Sequence, residues 1–84
     1  MEERIRTSAG KMIREARMDK GWTQRELGKM LGYDYGNFIG MIENGNSILP
    51  IDKIPIISEI LGLNPKKLLK EVMLCKHPGV ARYI

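Results

Sequence analysis

The stretch from Thr23 to Gly45 restricts the chain more than any other. Thr23 can accept a hydrogen bond from the first-turn backbone while Glu26, three residues on, reaches back; this is a capping box, and therefore a helix start. Leu27, Met30 and Leu31 follow as an i, i+3, i+4 apolar stripe, and Gly32 can take the left-handed conformation that ends a helix. A few turn-forming residues later a second stripe begins, Phe38, Ile39 and Ile42, which closes at Asn44-Gly45. Helices of about two turns do not stand alone in water, so both must lean on a core that the rest of the chain supplies.

The flanks read as three further helices. Thr7 or Ser8 can cap a helix running to about Lys20, with Ala9, Met12, Ile13 and Ala16 inward and Gly21 as its stop. After the loop from Gly45 to Pro50, a fourth helix is expected to begin near Ile51 or Asp52, with Pro55 tolerated in its first turn, Ile54, Ile57, Ile60 and Leu61 inward, and Gly62 as its stop. Asn64 is a cap and Pro65 a first helical residue, which predicts a fifth helix to about Cys75 carrying Leu68, Leu69, Val72 and Met73. Residues 1–76 thus form one domain and residues 77–84 a C-terminal extension. Pro78-Gly79 breaks the helix, and Val80 to Ile84 have the β-branched and aromatic content of a short strand. A lone strand is unstable; it is disordered, folds back on its own domain, or pairs with a second copy.

Eighty-four residues with 43% hydrophobic and 29% charged side chains make a single globular domain that buries only about 60% of its unfolded surface. No apolar run approaches the roughly 18 residues of a membrane span, and the N-terminus lacks the apolar core of a signal peptide, so a cytoplasmic location is expected. The single cysteine, Cys75, excludes an internal disulfide and fits a reducing compartment. One histidine, one cysteine and no phosphate-binding glycine-rich loop leave no basis for a catalytic site, a metal site or a cofactor. The net charge of +4 is uneven: residues 1–22 carry +2, 23–44 carry −1, 45–64 carry −1 and 65–84 carry +4. Residues 30–52 hold neither lysine nor arginine.

Ile13-Arg14, Arg17, Gly21, Thr23-Gln24, Leu27, Gly28, Leu31-Gly32, Ile39, Ile42-Glu43 and Gly45 together resemble the Cro/C1-type (XRE-like) helix-turn-helix regulators. The turn between Gly32 and Ile39 is one residue longer than the commonest form, so Ile39 and Ile42 fix the register. The resemblance implies an all-α, five-helix, lambda-repressor-like domain and a small transcriptional regulator, a repressor, that binds double-stranded DNA at a palindromic operator as a homodimer. It further implies an Arg17–Glu43 ion pair holding the recognition helix against the first helix, and a Gln24 that touches a phosphate and braces that helix. Some Cro-like repressors dimerise through a C-terminal strand. That makes symmetric pairing the preferred reading of the tail, with Leu69, Val72, Met73, Val80, Tyr83 and Ile84 as the interface.

In such a motif the second helix lies in the major groove. With Ile39 and Ile42 inward, Gly36, Asn37 and Met41 are expected outward, with Tyr35 just before them. Asn37 can pair with an adenine edge and Met41 can pack on a thymine methyl, or serve as a partly buried packing residue. Asn44 is either a backbone contact or a C-cap; Asn46, Arg25 and Lys53 are further contact candidates. Trp22 is expected to pack at the junction of the first two helices. Gly28, Gly36 and Gly40 each cost about 1 kcal/mol against alanine within a helix. Gly28 is explained by close approach of the recognition helix, Gly40 by approach of a phosphate or a neighbouring helix. The rival reading is a protein-interaction module, an antitoxin-like partner or a phage or mobile-element adaptor, with weak DNA binding, favoured by the lack of basic residues between 30 and 52.

Overall fold

A computed structural model describes residues 8–76 and 79. The described residues form five α-helices and no strand: α1 (Ser8–Asp19), α2 (Gln24–Met30), α3 (Asn37–Asn44), α4 (Ile54–Leu61) and α5 (Pro65–Lys76). One side chain from each helix, Ile13, Leu27, Ile39, Ile57 and Leu68, is wholly inaccessible, and these five make the centre of the core. Because each helix is short, the core is made between helices rather than along any one of them, with α1 packed on α3, α4 and α5, α4 on α5, and α2 on α3.

The ends follow the local signals. Thr23 Oγ1 accepts from Glu26 N at 3.0 Å, and Glu26 Oε1 accepts from Thr23 N at 2.7 Å, completing the capping box. Asn64 Oδ1 accepts from the backbone of Lys66 and Lys67, at 2.9 and 3.1 Å, at the start of α5. Gly21, Gly32, Gly45 and Gly62, the four predicted stops, all have φ between 73° and 92°, where a Cβ would be strained.

Three expectations are corrected. The α-helix proper starts at Ile54, preceded by a 3₁₀ turn at Ile51–Lys53; Pro55 has no N–H to offer the Ile51 carbonyl, so the turn closes instead through Lys53 N to Pro50 O and Ile54 N to Ile51 O. Met30 is 41% exposed, since the buried arc of α2 runs through Leu27, Leu31 and Gly28 and leaves Met30 on its edge. Val72, expected at a dimer interface, is 1% exposed and belongs to the domain's own core, whereas Leu69 and Met73 are half-buried on its flank. A core residue with no periodicity to mark it is Leu49, in the loop before the 3₁₀ turn, which is 2% exposed and plugs the core. The expected strand, with Val80, Tyr83 and Ile84, lies outside the described residues.

Ser58 is buried on the inner side of α4, and its hydroxyl has no hydrogen-bond partner among the described residues. A buried unsatisfied hydroxyl is costly, so Ser58→Ala is expected to raise the unfolding free energy by about 1 kcal/mol. Urea unfolding checks this: the midpoint should rise at constant slope, and a lower midpoint would mean that the hydroxyl is satisfied in solution.

Candidate nucleic-acid interface

The orientation of α3 is set by one carboxylate. Glu43, in its last turn, is 5% exposed. Glu43 Oε2 accepts from Arg17 Nε at 2.7 Å, and its Oε1 accepts from Arg17 Nη2 at 3.2 Å and from Gln24 Nε2 at 3.1 Å. Arg17 also donates through Nη1 to the Trp22 carbonyl at 2.7 Å. The guanidinium fork thus ties α1, the α1–α2 junction and α3 to one point, and Gln24 adds α2. Only a planar, multiply donating cation serves all these acceptors at once. Trp22 is half-buried against the core, with Lys20 Nζ 5.9 Å from its ring centroid.

Glycines let α3 sit at backbone distance from both neighbours. A Cβ on Gly10 would lie 2.5 Å from the Ile42 carbonyl oxygen and 2.9 Å from that of Glu43, so α1 meets the end of α3 main chain to main chain. A Cβ on Gly28 would lie 2.9 Å from the Tyr35 carbonyl oxygen but 3.6 Å from the Ile39 side chain; the close approach is therefore to the turn before α3 more than to the helix itself. Gly40 faces the Gln24 amide, 3.1 to 3.4 Å from where its Cβ would be. Between approach to a phosphate and to a neighbouring helix, the structure has the neighbouring helix. Gly10 belongs to no recognisable motif, and a glycine without a local reason inside a predicted helix is the one signal it gives.

Gly36 does not face outward. It is the N-cap of α3, and its missing Cβ would fall 2.5 Å from Arg25 N, 2.7 Å from Arg25 Cα and 2.8 Å from the Gln24 carbonyl carbon. The turn between α2 and α3 presses this glycine onto the backbone of the first turn of α2. Tyr35, immediately before it, is 71% exposed. Tyr33 N donates to Gly28 O at 2.9 Å, and the Tyr33 ring lies 5.0 Å from that of Phe38.

The outward side of α3 is then unambiguous. Ile39, Gly40, Ile42 and Glu43 are buried, while Asn37, Met41 and Asn44, spaced i, i+4, i+7, are exposed on the opposite side. Met41 is 40% exposed, and Asn44 is not the cap, because Gly45 takes the left-handed position. Asn46 is exposed just beyond, its N–H donating to Met41 O at 2.8 Å. Arg25 is exposed near the start of α2. Gln24 is half-buried within the Glu43 network. Lys53 is also engaged internally: its Nζ lies 3.4 Å from the Leu31 carbonyl oxygen at the end of α2 and 5.5 Å from the Tyr33 ring centroid. The surface around α3 therefore joins a neutral polar stripe to exposed apolar side chains, Tyr35, Met41 and Ile48, with Lys29 and Arg25 of α2 as the exposed cations nearest it in sequence among the described residues.

Two short helices joined by a turn, the second locked and presenting one exposed stripe, form a unit that residues 10–73 also match in sequence, under the description Helix-turn-helix domain. The chain belongs to the helix-turn-helix domain family. That match covers α2, α3 and their supporting helices, so the helix-turn-helix domain and the folded core coincide. No curated protein and no solved structure shows significant similarity to the chain. Among the described residues no helix is long and apolar enough to cross a membrane.

Proposed function

We propose that this helix-turn-helix protein is a sequence-specific DNA-binding transcriptional regulator of the Cro/C1 type. It acts in the cytoplasm as a repressor and not as an enzyme, and it binds a palindromic operator as a homodimer. The observation that carries the reading is the Asn37, Met41, Asn44 stripe, held outward by the Arg17–Glu43–Gln24 network on its opposite side. With α3 in the major groove, Asn37 pairs with an adenine edge and Met41 covers a thymine methyl. The start of α3 has no side-chain cap, which leaves first-turn amides for a phosphate oxygen. One such surface makes few contacts, and a two-fold dimer doubles them over half-sites about 10 bp apart. Met73 and the 46%-exposed Leu74, near the end of α5, lead toward residues 77–84 and supply the dimer contact.

The test is selection of random duplex DNA by the purified protein, followed by titration of the best sequence. Asn37→Ala should cost about 1–3 kcal/mol, roughly ten- to hundredfold in affinity, and relax the preference at one adenine; unchanged affinity and preference would remove Asn37 from the readout. Arg25→Ala should weaken binding equally on all sequences and reduce the slope of log K against log salt by about one for each phosphate that Arg25 neutralises. The neutral, partly apolar surface around α3 also favours a second reading, a protein-interaction module. That reading gains if no duplex sequence is enriched.

A further inference from the structure

C-terminal to this stripe along the chain, an apolar groove of about 280 Å³ opens between the 3₁₀ turn, the start of α4 and the start of α5. It is lined by Ile51, Ile54, Pro55, Pro65, Leu69 and the stem of Lys66, with no residue from α2 or α3. A cavity of about 150 Å³ lined by apolar side chains already holds benzene, so this one has room for an aromatic ring or two aliphatic side chains. Ile51, one of its lining residues, is 49% exposed.

The charge around the groove runs against the stability of the helix that carries it. The first turn of α5 has no acidic residue but holds Lys66 and Lys67, at the positive end of the helix dipole. Lys70 stands one turn beyond Lys66, a like-charge i, i+4 pair that also destabilises. All three lysines are exposed, and among the described residues the one ion pair is Arg17–Glu43; Glu71, four residues after Lys67, is the carboxylate on the same helix, and Lys66 and Lys70 have none at that spacing. Asp52, exposed next to Ile51, and Glu59 and Glu71 are the acidic residues on the surrounding elements, and none lies within ion-pair distance of a described lysine.

We propose that this groove is a docking site for an acidic, apolar-anchored peptide segment of a partner protein. One or two aliphatic or aromatic side chains fill the groove while flanking carboxylates meet Lys66 and Lys70. A second copy of this chain is the poorer occupant, because a two-fold contact here would set the lysines of one copy against the same lysines of the other. The chain's own residues 77–84 are also unsuited, since they carry His77 and Arg82 and no acidic side chain.

The test is selection of random 12-residue peptides by the full-length protein, then titration of the best peptide against the unaltered chain and the double variant Lys66→Glu/Lys70→Glu. Peptides combining Leu, Ile or Phe with Asp or Glu are expected. Affinity should fall about tenfold or more in the double variant, with DNA binding and self-association unchanged. The double variant should fold at least as well, since it places an acid in the first turn of α5. The proposal is overturned if no peptide is enriched, or if the selected peptides bind both proteins equally. It is also overturned if the charge reversal weakens DNA binding uniformly and flattens its salt dependence, which would make the lysines phosphate contacts. Loss of self-association in Leu69→Gln would assign the groove to a second copy, and a gain in peptide affinity on deleting residues 77–84 would assign it to the chain's own tail. The peptide selection and the peptide titrations do not depend on whether α3 reads DNA, so their failure is distinguishable from failure of that reading.

Discussion

Arg17→Met is expected to lower the unfolding free energy by about 3–5 kcal/mol, the largest single-residue effect anticipated in this domain. The substitution keeps most of the apolar volume and removes only the guanidinium. Glu43, whose side chain is 2% exposed, would then hold a buried charge with Gln24 as its remaining side-chain partner at 3.1 Å, and the Trp22 carbonyl would lose its donor. A chain of this size has a total stability of only about 4–13 kcal/mol at 0.05–0.15 kcal/mol per residue, so the variant should be partly unfolded at moderate temperature. Urea titration followed by Trp22 fluorescence measures the loss directly. Arg17→Met combined with Glu43→Leu should recover at least half of it, because a buried pair replaced as a unit leaves no orphan charge. A cost below about 1 kcal/mol for the single variant, the range of an exposed pair, would mean that α3 is held by apolar packing alone.

Gly36→Ala should destabilise by about 1–3 kcal/mol and lower Tm by roughly 5–20 °C. The added Cβ would meet three backbone atoms of Gln24 and Arg25 at 2.5 to 2.8 Å, and backbone at the start of a capped helix cannot turn aside as a side chain can. The entry to α3 must move off α2 by about 1 Å to restore ordinary carbon contacts near 3.5 Å, carrying Asn37 and Met41 with it. On the proposed DNA-binding reading, loss of DNA affinity is therefore expected together with the fall in Tm, whereas Asn37→Ala should reduce affinity and leave Tm unchanged. If Gly36 stood on the outward side of the recognition helix, as periodicity anchored on Ile39 and Ile42 suggests, the alanine would be harmless to the fold. Calorimetry on the two variants separates these cases.

The contrast between Gly36 and its neighbours marks where a sequence stops being legible. Apart from the start of α4, the helix ends are legible because each is settled within four residues: Thr23 with Glu26, Asn64 with Lys66 and Lys67, and glycines at Gly21, Gly32, Gly45 and Gly62 where the backbone turns left-handed. The apolar centres of the helices are legible through their period, which is why Ile13, Leu27, Ile39, Ile57 and Leu68 all appear among the inward residues. Arg17 and Glu43 are paired by family resemblance, since nothing local joins residues 26 positions apart.

The sequence by itself determined five helices, their stops and an outward-facing Asn37, all consequences of hydrogen bonding and periodicity along a single segment. Only the tertiary structure decided that Gly36 is pressed onto α2, that Gly10 admits the end of α3, that Leu49 plugs the core, that Val72 is used within the domain and that Lys53 is spent on the Leu31 carbonyl and the Tyr33 ring. Each of those depends on which surface of another element arrives opposite the residue. That is fixed by the simultaneous packing of all five short helices, and no one of them specifies it alone.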